Sequence, residues 1–286
     1  HGKQQFCTCN QGLQTEHIRL TVGPLSVSVR TPMTIAMGAA SVADITGRRT
    51  AVALGASSVV VVEEWHGRDR TRTATHLAES AQILRALLAG EKTDFSGECA
   101  SSKGYKLRLD AVEGPITIAA FGPAAVRAAA RHADRMLLNM VTPLSVAALR
   151  DQLIRAAEKA GRATPEIAIW LPCAVNPQRE TIDQLKRGIV GYLAAPGYGE
   201  MMMQAGFEDL VNYARTRPHP RELLAAMPDK LISAIGLVGD LSAVQARVDE
   251  YRDAGAGEIC LGPATAGDEL GRQTLEIMKS QLGQSH

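Results

Sequence analysis

Aromatic residues are scarce in this sequence: two Trp, five Tyr and four Phe make up 4% of 286 residues. So thin a supply argues against a platform on which successive nucleic-acid bases stack. Charge of one sign is equally lacking. Thirty-one Lys and Arg stand against 30 Asp and Glu, a net charge of +1, without the cationic excess that neutralises a phosphate backbone. No apolar run approaches the about 18 residues that a membrane-spanning helix requires, and Val59–Val62 reads as a fragment of a core. Cysteines are few: Cys7, Cys9, Cys99, Cys173 and Cys260 are odd in number and mostly isolated. That pattern fits a reducing, cytoplasmic setting better than a disulfide framework. Cys7-Thr8-Cys9 invites a metal reading, but no second Cys or His pair follows at ligand spacing, so no metal is expected.

What is present is an ordered globular composition, 45% hydrophobic and 21% charged. Short β-branched runs alternate with amphipathic helical stretches, with Gly or Pro at the junctions, which is the pattern of βα units on a parallel sheet. The spacing predicts strands at Ile18–Val22, Thr50–Leu54, Ile116–Ala120, Arg135–Asn139, Ile167–Val175 and Glu258–Leu261. Lys106–Leu109 alternates as an edge strand would. Thr31, Thr142 and Asp240 are placed to cap helices, and Pro32, Pro123 and Pro143 sit at first helical positions. Inward faces are expected at Ile35, Ala39, Val42 and Ile45, at Leu77, Ala81, Leu84 and Leu88, and at Val146, Leu149, Leu153 and Ala157. Further on, Leu241, Val244, Val248 and Tyr251 form another such face. One domain over 1–286 is expected, with insertions at about 59–112 and 177–232. A closed parallel barrel needs eight strands, and six are found. Two further strands are expected at the amino end, which fits a chain that starts at His1 rather than Met. An open dinucleotide-binding sheet also alternates β and α, but no G-x-G-x-x-G follows a strand.

In a parallel barrel the chemistry sits at the carboxyl ends of the strands. Those ends carry Gly23-Pro24, Gly55-Ala56-Ser57-Ser58, Phe121-Gly122-Pro123, Asn139 with Thr142, Cys173 with Asn176, and Gly262-Pro263. Glycine there permits close backbone approach to a ligand, although it also simply ends strands. Gly122-Pro123-Ala124-Ala125 opens a helix with Pro at its first position. This leaves the amides of Ala124 and Ala125 at a positive helix end, a seat for phosphate as well as an ordinary helix start. Glu63-Glu64-Trp65-His66-Gly67 gathers an imidazole, carboxylates and a large aromatic. His66 or Glu64 could move a proton, Trp65 could line a substrate pocket, and a solvated surface loop is the competing reading. His76, His132, His219, Asp134 and Met201–Met203 read as structural.

Several segments, in order, resemble the luciferase-like monooxygenase superfamily, in particular its coenzyme F-420-dependent branch. They are Thr15–Leu20, Gly55–Ser58, Val62–Gly67, Ile83–Gly90, Phe121–Pro123, Leu137–Asn139 with Thr142-Pro143, Leu237–Asp240 and Tyr251–Gly255. The resemblance implies a (β/α)8 TIM barrel, here without its first two strands and with a late helical insertion. It implies a deazaflavin or FMN at the strand carboxyl ends. The family's phosphate seat maps onto Gly122, Pro123 and Ala124. Gly55, Ala56, Ser57 and Ser58 map beside the ring and ribityl chain, and Asn139 joins the cofactor-binding set. The family's cis peptide maps onto Gly23–Pro24, where proline makes the cis form cheap. Some deazaflavin enzymes carry a catalytic glutamate where this chain has Ser58, which leaves His66 and Glu64 as candidates. Asp134-Arg135 replaces the family's more usual Asp-Gly.

The leading expectation is an oxidoreductase that moves a hydride between reduced F-420 and a small organic substrate. An FMN-dependent monooxygenase and a degenerate, ligand-binding or partner-binding barrel are the alternatives. The expected partner is a small molecule, with no nucleic acid and no membrane, and a homodimer is plausible from the resemblance.

Overall fold

The computed structural model describes residues 13–110, 112 and 114–282; His1 and the Cys7 and Cys9 pair lie outside the described residues. The chain divides into two compact units. One comprises the chain up to Leu137 together with Asp151–Glu166, and the other comprises Leu138–Arg150 and everything from Ile167 onward.

In the first unit, strands β1 (Leu20–Ser26), β2 (Thr50–Gly55) and β5 (Ile116–Ala119) lie side by side, with Arg135–Leu137 of β6 (Arg135–Asn139) next to β5. All neighbours are parallel. β2 is buried throughout, as a strand covered on both faces must be. The helix Pro32–Thr46 starts as its sequence predicts, with Thr31 Oγ1 accepting from Thr34 N at 3.3 Å. Gly47 ends it in the left-handed conformation. It buries Ile35, Ala39 and Val42, but Ile45 is 55% exposed. The helix Thr73–Leu88 buries Leu77, Ala81, Leu84 and Leu88 as expected.

β1 departs from its predicted bounds for a physical reason. Gly-Pro reads as a strand end because proline cannot donate to a ladder. Here Gly23-Pro24 sits inside the strand, and its peptide bond is cis as expected. The register against β2 shifts between Val22 and Leu25, so the proline occupies a bulge and pairing resumes at Leu25↔Leu54 and Ser26↔Gly55. The expected edge strand at Lys106–Leu109 is irregular chain. The insertion instead holds an antiparallel hairpin, β3 (Asp94–Ser96) with β4 (Ser101–Lys103). Val59–Val62 is not a core run, because Val59 and Val60 are largely exposed and only Val62 is buried. Those residues start a single wide helical turn, Val60–Trp65, whose inward side is one residue wide.

In the second unit, the ten-residue β7 (Glu166–Val175) pairs in parallel with β9 (Glu258–Pro263) along Ala168–Cys173 and with β8 (Leu237–Gly239) along Cys173–Val175. The three-residue β8 was too short for its pattern to predict. The helix Pro143–Lys159 begins behind Thr142, whose Oγ1 accepts from Ser145 N at 3.1 Å. The helix Leu241–Asp253 begins behind Asp240, whose carboxylate accepts from Ala243 N at 2.8 Å. Short helices fill residues 179–234, with Met201 and Met202 buried among them. Among the described residues no helix is long and apolar enough to cross a membrane.

Candidate functional site

The carboxyl ends of β1, β2 and β5 form one rim in the first unit. Gly23 has a φ of 133°, and a Cβ there would overlap the Ala53 carbonyl. Only glycine lets β1 lie this close to β2. At Gly55 a Cβ would stand 3.4 Å from the Pro24 Cβ and 3.8 Å from the Ala119 Cβ. Pro24, Gly55 and Ala119 therefore share a face, and together they make a shallow apolar ledge with no side chain rising from its centre. Ser26 is paired with Gly55 in parallel register, so its side chain lies on the same face. Ser26 is 6% exposed, and among the described residues its hydroxyl has no hydrogen-bond partner. Buried hydroxyls are nearly always satisfied. An unpaired one beside an open ledge fits a ligand with a polar ring edge.

Beyond β5 the chain turns into the helix Pro123–His132. Gly122 is its N-cap and supplies no capping side chain, Pro123 occupies the first turn, and no acidic residue is present there. The first-turn amides thus meet no carboxylate or hydroxyl of their own helix. Gly122, Pro123 and Ala124 are exposed, and a Cβ on Gly122 would touch nothing within 4 Å. No packed side chain plugs this helix end. A positive helix terminus with bare amides and open space above it suits a phosphate. The ledge and the uncapped helix end fit a phosphorylated tricyclic cofactor, which Gly122, Pro123, Ala124, Pro24, Gly55 and Ser26 would hold. Sequence reasoning missed Ser26, because a lone serine inside a strand carries no pattern.

After β2, Ala56 is half-buried while Ser57 and Ser58 are exposed. Ser57 adopts a φ of 62°, a left-handed conformation uncommon for serine. Ser58 Oγ accepts from Val61 N at 3.2 Å and so starts the Val60–Trp65 turn instead of facing a ligand as an acid would. Glu64, Trp65 and His66 lie on or just after that turn, and all are exposed, Trp65 by 70%. Among the described residues, the side chains of Glu64 and His66 have no hydrogen-bond partner in the protein. The structure thus puts these candidates on one loop behind β2, with no second group orienting the imidazole.

Asn139, at the end of β6, belongs to the second unit. Its Nδ2 donates to Tyr198 Oη at 3.5 Å. Burial pushes the Tyr198 phenol up to about 12, a shift that the Asn139 bond partly offsets. Tyr198 therefore stays protonated at any working pH. Two of the residues expected to be structural make contacts within the first unit. Asp134 accepts from Ile116 N at 2.8 Å and from Arg85 at 3.0 Å, closing the turn before β6. Burial and the surrounding Arg162, Arg131 and Arg85 hold the His132 imidazole below its usual value.

Comparison with known proteins places this geometry. The family model for luciferase-like monooxygenases matches residues 11–258. The 5,10-methylenetetrahydromethanopterin reductase of Archaeoglobus fulgidus is 23% identical over 280 residues, covering 94% of this chain and 83% of the relative. The structure of the coenzyme F-420-dependent tetrahydromethanopterin reductase from Methanopyrus kandleri superposes with a TM-score of 0.80 at 17% identity, covering 96% of this chain and 85% of that one. The oxygenating constituent of 3,6-diketocamphane monooxygenase from Pseudomonas putida, in complex with FMN, superposes with a TM-score of 0.65 at 18% identity, covering 96% and 81%. The fold is thus that of the luciferase-like TIM barrels, and the chain belongs to the luciferase-like monooxygenase family.

Proposed function

We propose that this protein is a coenzyme F-420-dependent oxidoreductase acting on a small organic substrate. The observation that carries the reading is the uncapped, exposed helix end at Gly122–Ala124 in the same unit as the Pro24–Gly55–Ala119 ledge. The coenzyme F-420-dependent reductase from Methanopyrus kandleri, which shares this fold, adds to it. When bound, the deazaflavin supplies two-electron hydride transfer, chemistry that no amino-acid side chain offers.

The chain's own residues do the rest. The amides of Ala124 and Ala125 bind the phosphate and fix the cofactor's reach along the rim. Pro24 and Gly55 would offer the cofactor a flat apolar surface from which water is excluded. Ser26 Oγ would be the hydrogen-bonding group offered to a polar edge of the cofactor. His66 would serve as the proton donor to the substrate, with Glu64 as the neighbouring alternative. Trp65, beside His66, lies against the substrate. In this reading the protein works among small molecules in the cytoplasm, as a homodimer.

An FMN-dependent monooxygenase is the second reading. It is favoured by the FMN-containing neighbour of the same fold, because a phosphate seat and a flat ledge serve both cofactors. Equilibrium titration of the protein with F-420 and with FMN decides between them. The expected result is saturable binding of F-420 at micromolar concentration with FMN much weaker. Tight FMN binding with oxygen consumption supports the monooxygenase, and binding of neither cofactor overturns both.

A further inference from the structure

The loop behind β2 carries a strained residue, three candidate site residues and one contact that ties them together. Ser57 holds a φ of 62° while exposed to solvent, so no packing forces that conformation on it. A non-glycine residue in this region persists only where neighbouring bonds over-determine it. On the far side, Ser58 anchors the following turn through Val61 N at 3.2 Å, and Val62 N donates to Ser58 O at 3.0 Å. The remaining bond comes from thirteen residues on, where Arg70 Nε donates to the Ser57 carbonyl at 2.9 Å.

Arg70 differs from the arginines beside it. Arg68 is exposed, and Arg72 is paired with Glu98 at 2.7 Å. Arg70 is half-buried, and among the described residues it has no carboxylate partner, so its bond to Ser57 is not a by-product of an ion pair. The segment between the two residues is closed internally by Gly67 N to Glu63 O at 3.0 Å and Arg68 N to Val62 O at 2.9 Å. The Arg70–Ser57 bond therefore shuts the base of a loop that holds Glu64, Trp65 and His66. A planar guanidinium donating through Nε fixes direction as well as distance.

We infer that Arg70 is a positioning residue. It clamps the Ser57 carbonyl, holds the Gly55–Ser58 rim in its strained shape, and sets where the His66 loop stands relative to the end of β2. The inference rests on the reading of that rim as a cofactor site, and half of its test is independent of that reading.

The test compares wild type with Arg70→Met, Arg70→Lys, Ser57→Gly and the double variant Ser57→Gly/Arg70→Met. Two measurements are made: amide hydrogen exchange over residues 55–66 without cofactor, and the dissociation constant for F-420. Arg70→Met should exchange about tenfold faster over 55–66 and bind F-420 about tenfold more weakly, with circular dichroism and melting temperature near wild type. Arg70→Lys keeps the charge but not the fixed planar donor and should follow Met. Glycine accepts the left-handed conformation without strain, so in the Ser57→Gly background the loss of Arg70 should change affinity by less than about threefold. Unchanged exchange in Arg70→Met overturns the clamp whatever the cofactor result. Wild-type behaviour of Arg70→Lys, or no rescue by Ser57→Gly, overturns it as well. If wild type binds neither F-420 nor FMN, the proposed function fails, and the exchange data still decide the clamp.

Discussion

Three non-glycine residues just beyond parallel strands hold left-handed backbone: Ser57 at φ 62° after β2, Met140 at φ 47° after β6 and Asn176 at φ 51° after β7. Each such residue costs on the order of 1–3 kcal/mol, and residues of this kind gather where function constrains the chain. Backbone bonds hold two of them, from Met140 N to Trp170 O at 3.1 Å and from Asn176 N to Gly239 O at 2.8 Å. Little of this was legible in the sequence. A glycine at a strand end announces itself, whereas Ser57, Ser26 and Arg70 are ordinary letters whose meaning appears only with a backbone angle or a contact. His66 was legible as chemistry but not as geometry, since its exposure and lack of an orienting partner belong to the fold. The proposed role makes a definite forecast. His66→Ala should lower kcat by about a hundredfold while the F-420 dissociation constant stays within error of wild type. Stopped-flow and titration on the same preparation check this, and an unchanged kcat removes His66 from the mechanism.

Among the elements, β1 is the most demanding. Its bulge brings Gly23 under the Ala53 carbonyl at a φ of 133°, so Gly23→Ala must move backbone and not a flexible side chain. Chemical denaturation should show a loss of about 3 kcal/mol or more, and a loss below 1 kcal/mol would mean that β1 and β2 can part at little cost. The β3–β4 hairpin depends on a single buried carboxylate. Glu79 accepts from Glu98 N and Cys99 N, both at 2.8 Å, and from Ala100 N at 2.7 Å. Burial alone would raise its pKa. The three amides more than reverse that, and His76 helps, so the carboxyl is held below its ordinary 4.5. A carboxyl held low stabilises the fold above its unfolded value, and that contribution disappears as pH falls from 4.5 through the lower folded value. Glu79→Gln presents an amide donor to donors and should cost about 2 kcal/mol at pH 7. Its stability should also be flatter than wild type through the acid range, which denaturation across pH measures directly. The hairpin escaped sequence reading because its strands are three residues each, while Lys106–Leu109 alternates more clearly yet has no partner strand among the described residues.

At the scale of the whole molecule, the alternation of strand and helix was enough to place six of the seven parallel strands, all but β8, and helix caps at Thr31, Thr142 and Asp240 were readable because capping is local chemistry. The faces within each strand were not readable. Which residues share the ledge follows from the Ser26↔Gly55 register and from the bulge before it, and register is a tertiary property. The same holds for the phosphate seat. Gly122-Pro123 predicts a helix start in any fold, and only the open space around it separates a binding site from a buried turn.

If this uncapped helix end holds the anionic tail of the cofactor, Gly122→Asp should move stability and affinity in opposite directions. An aspartate is a better N-cap than glycine by a few tenths of a kcal/mol, its Cβ meets open space, and its carboxylate would occupy the amides that a phosphate needs. The account predicts a melting temperature equal to or slightly above wild type together with an F-420 dissociation constant raised at least about a hundredfold. Undiminished F-420 binding by a fully folded Gly122→Asp protein would contradict it.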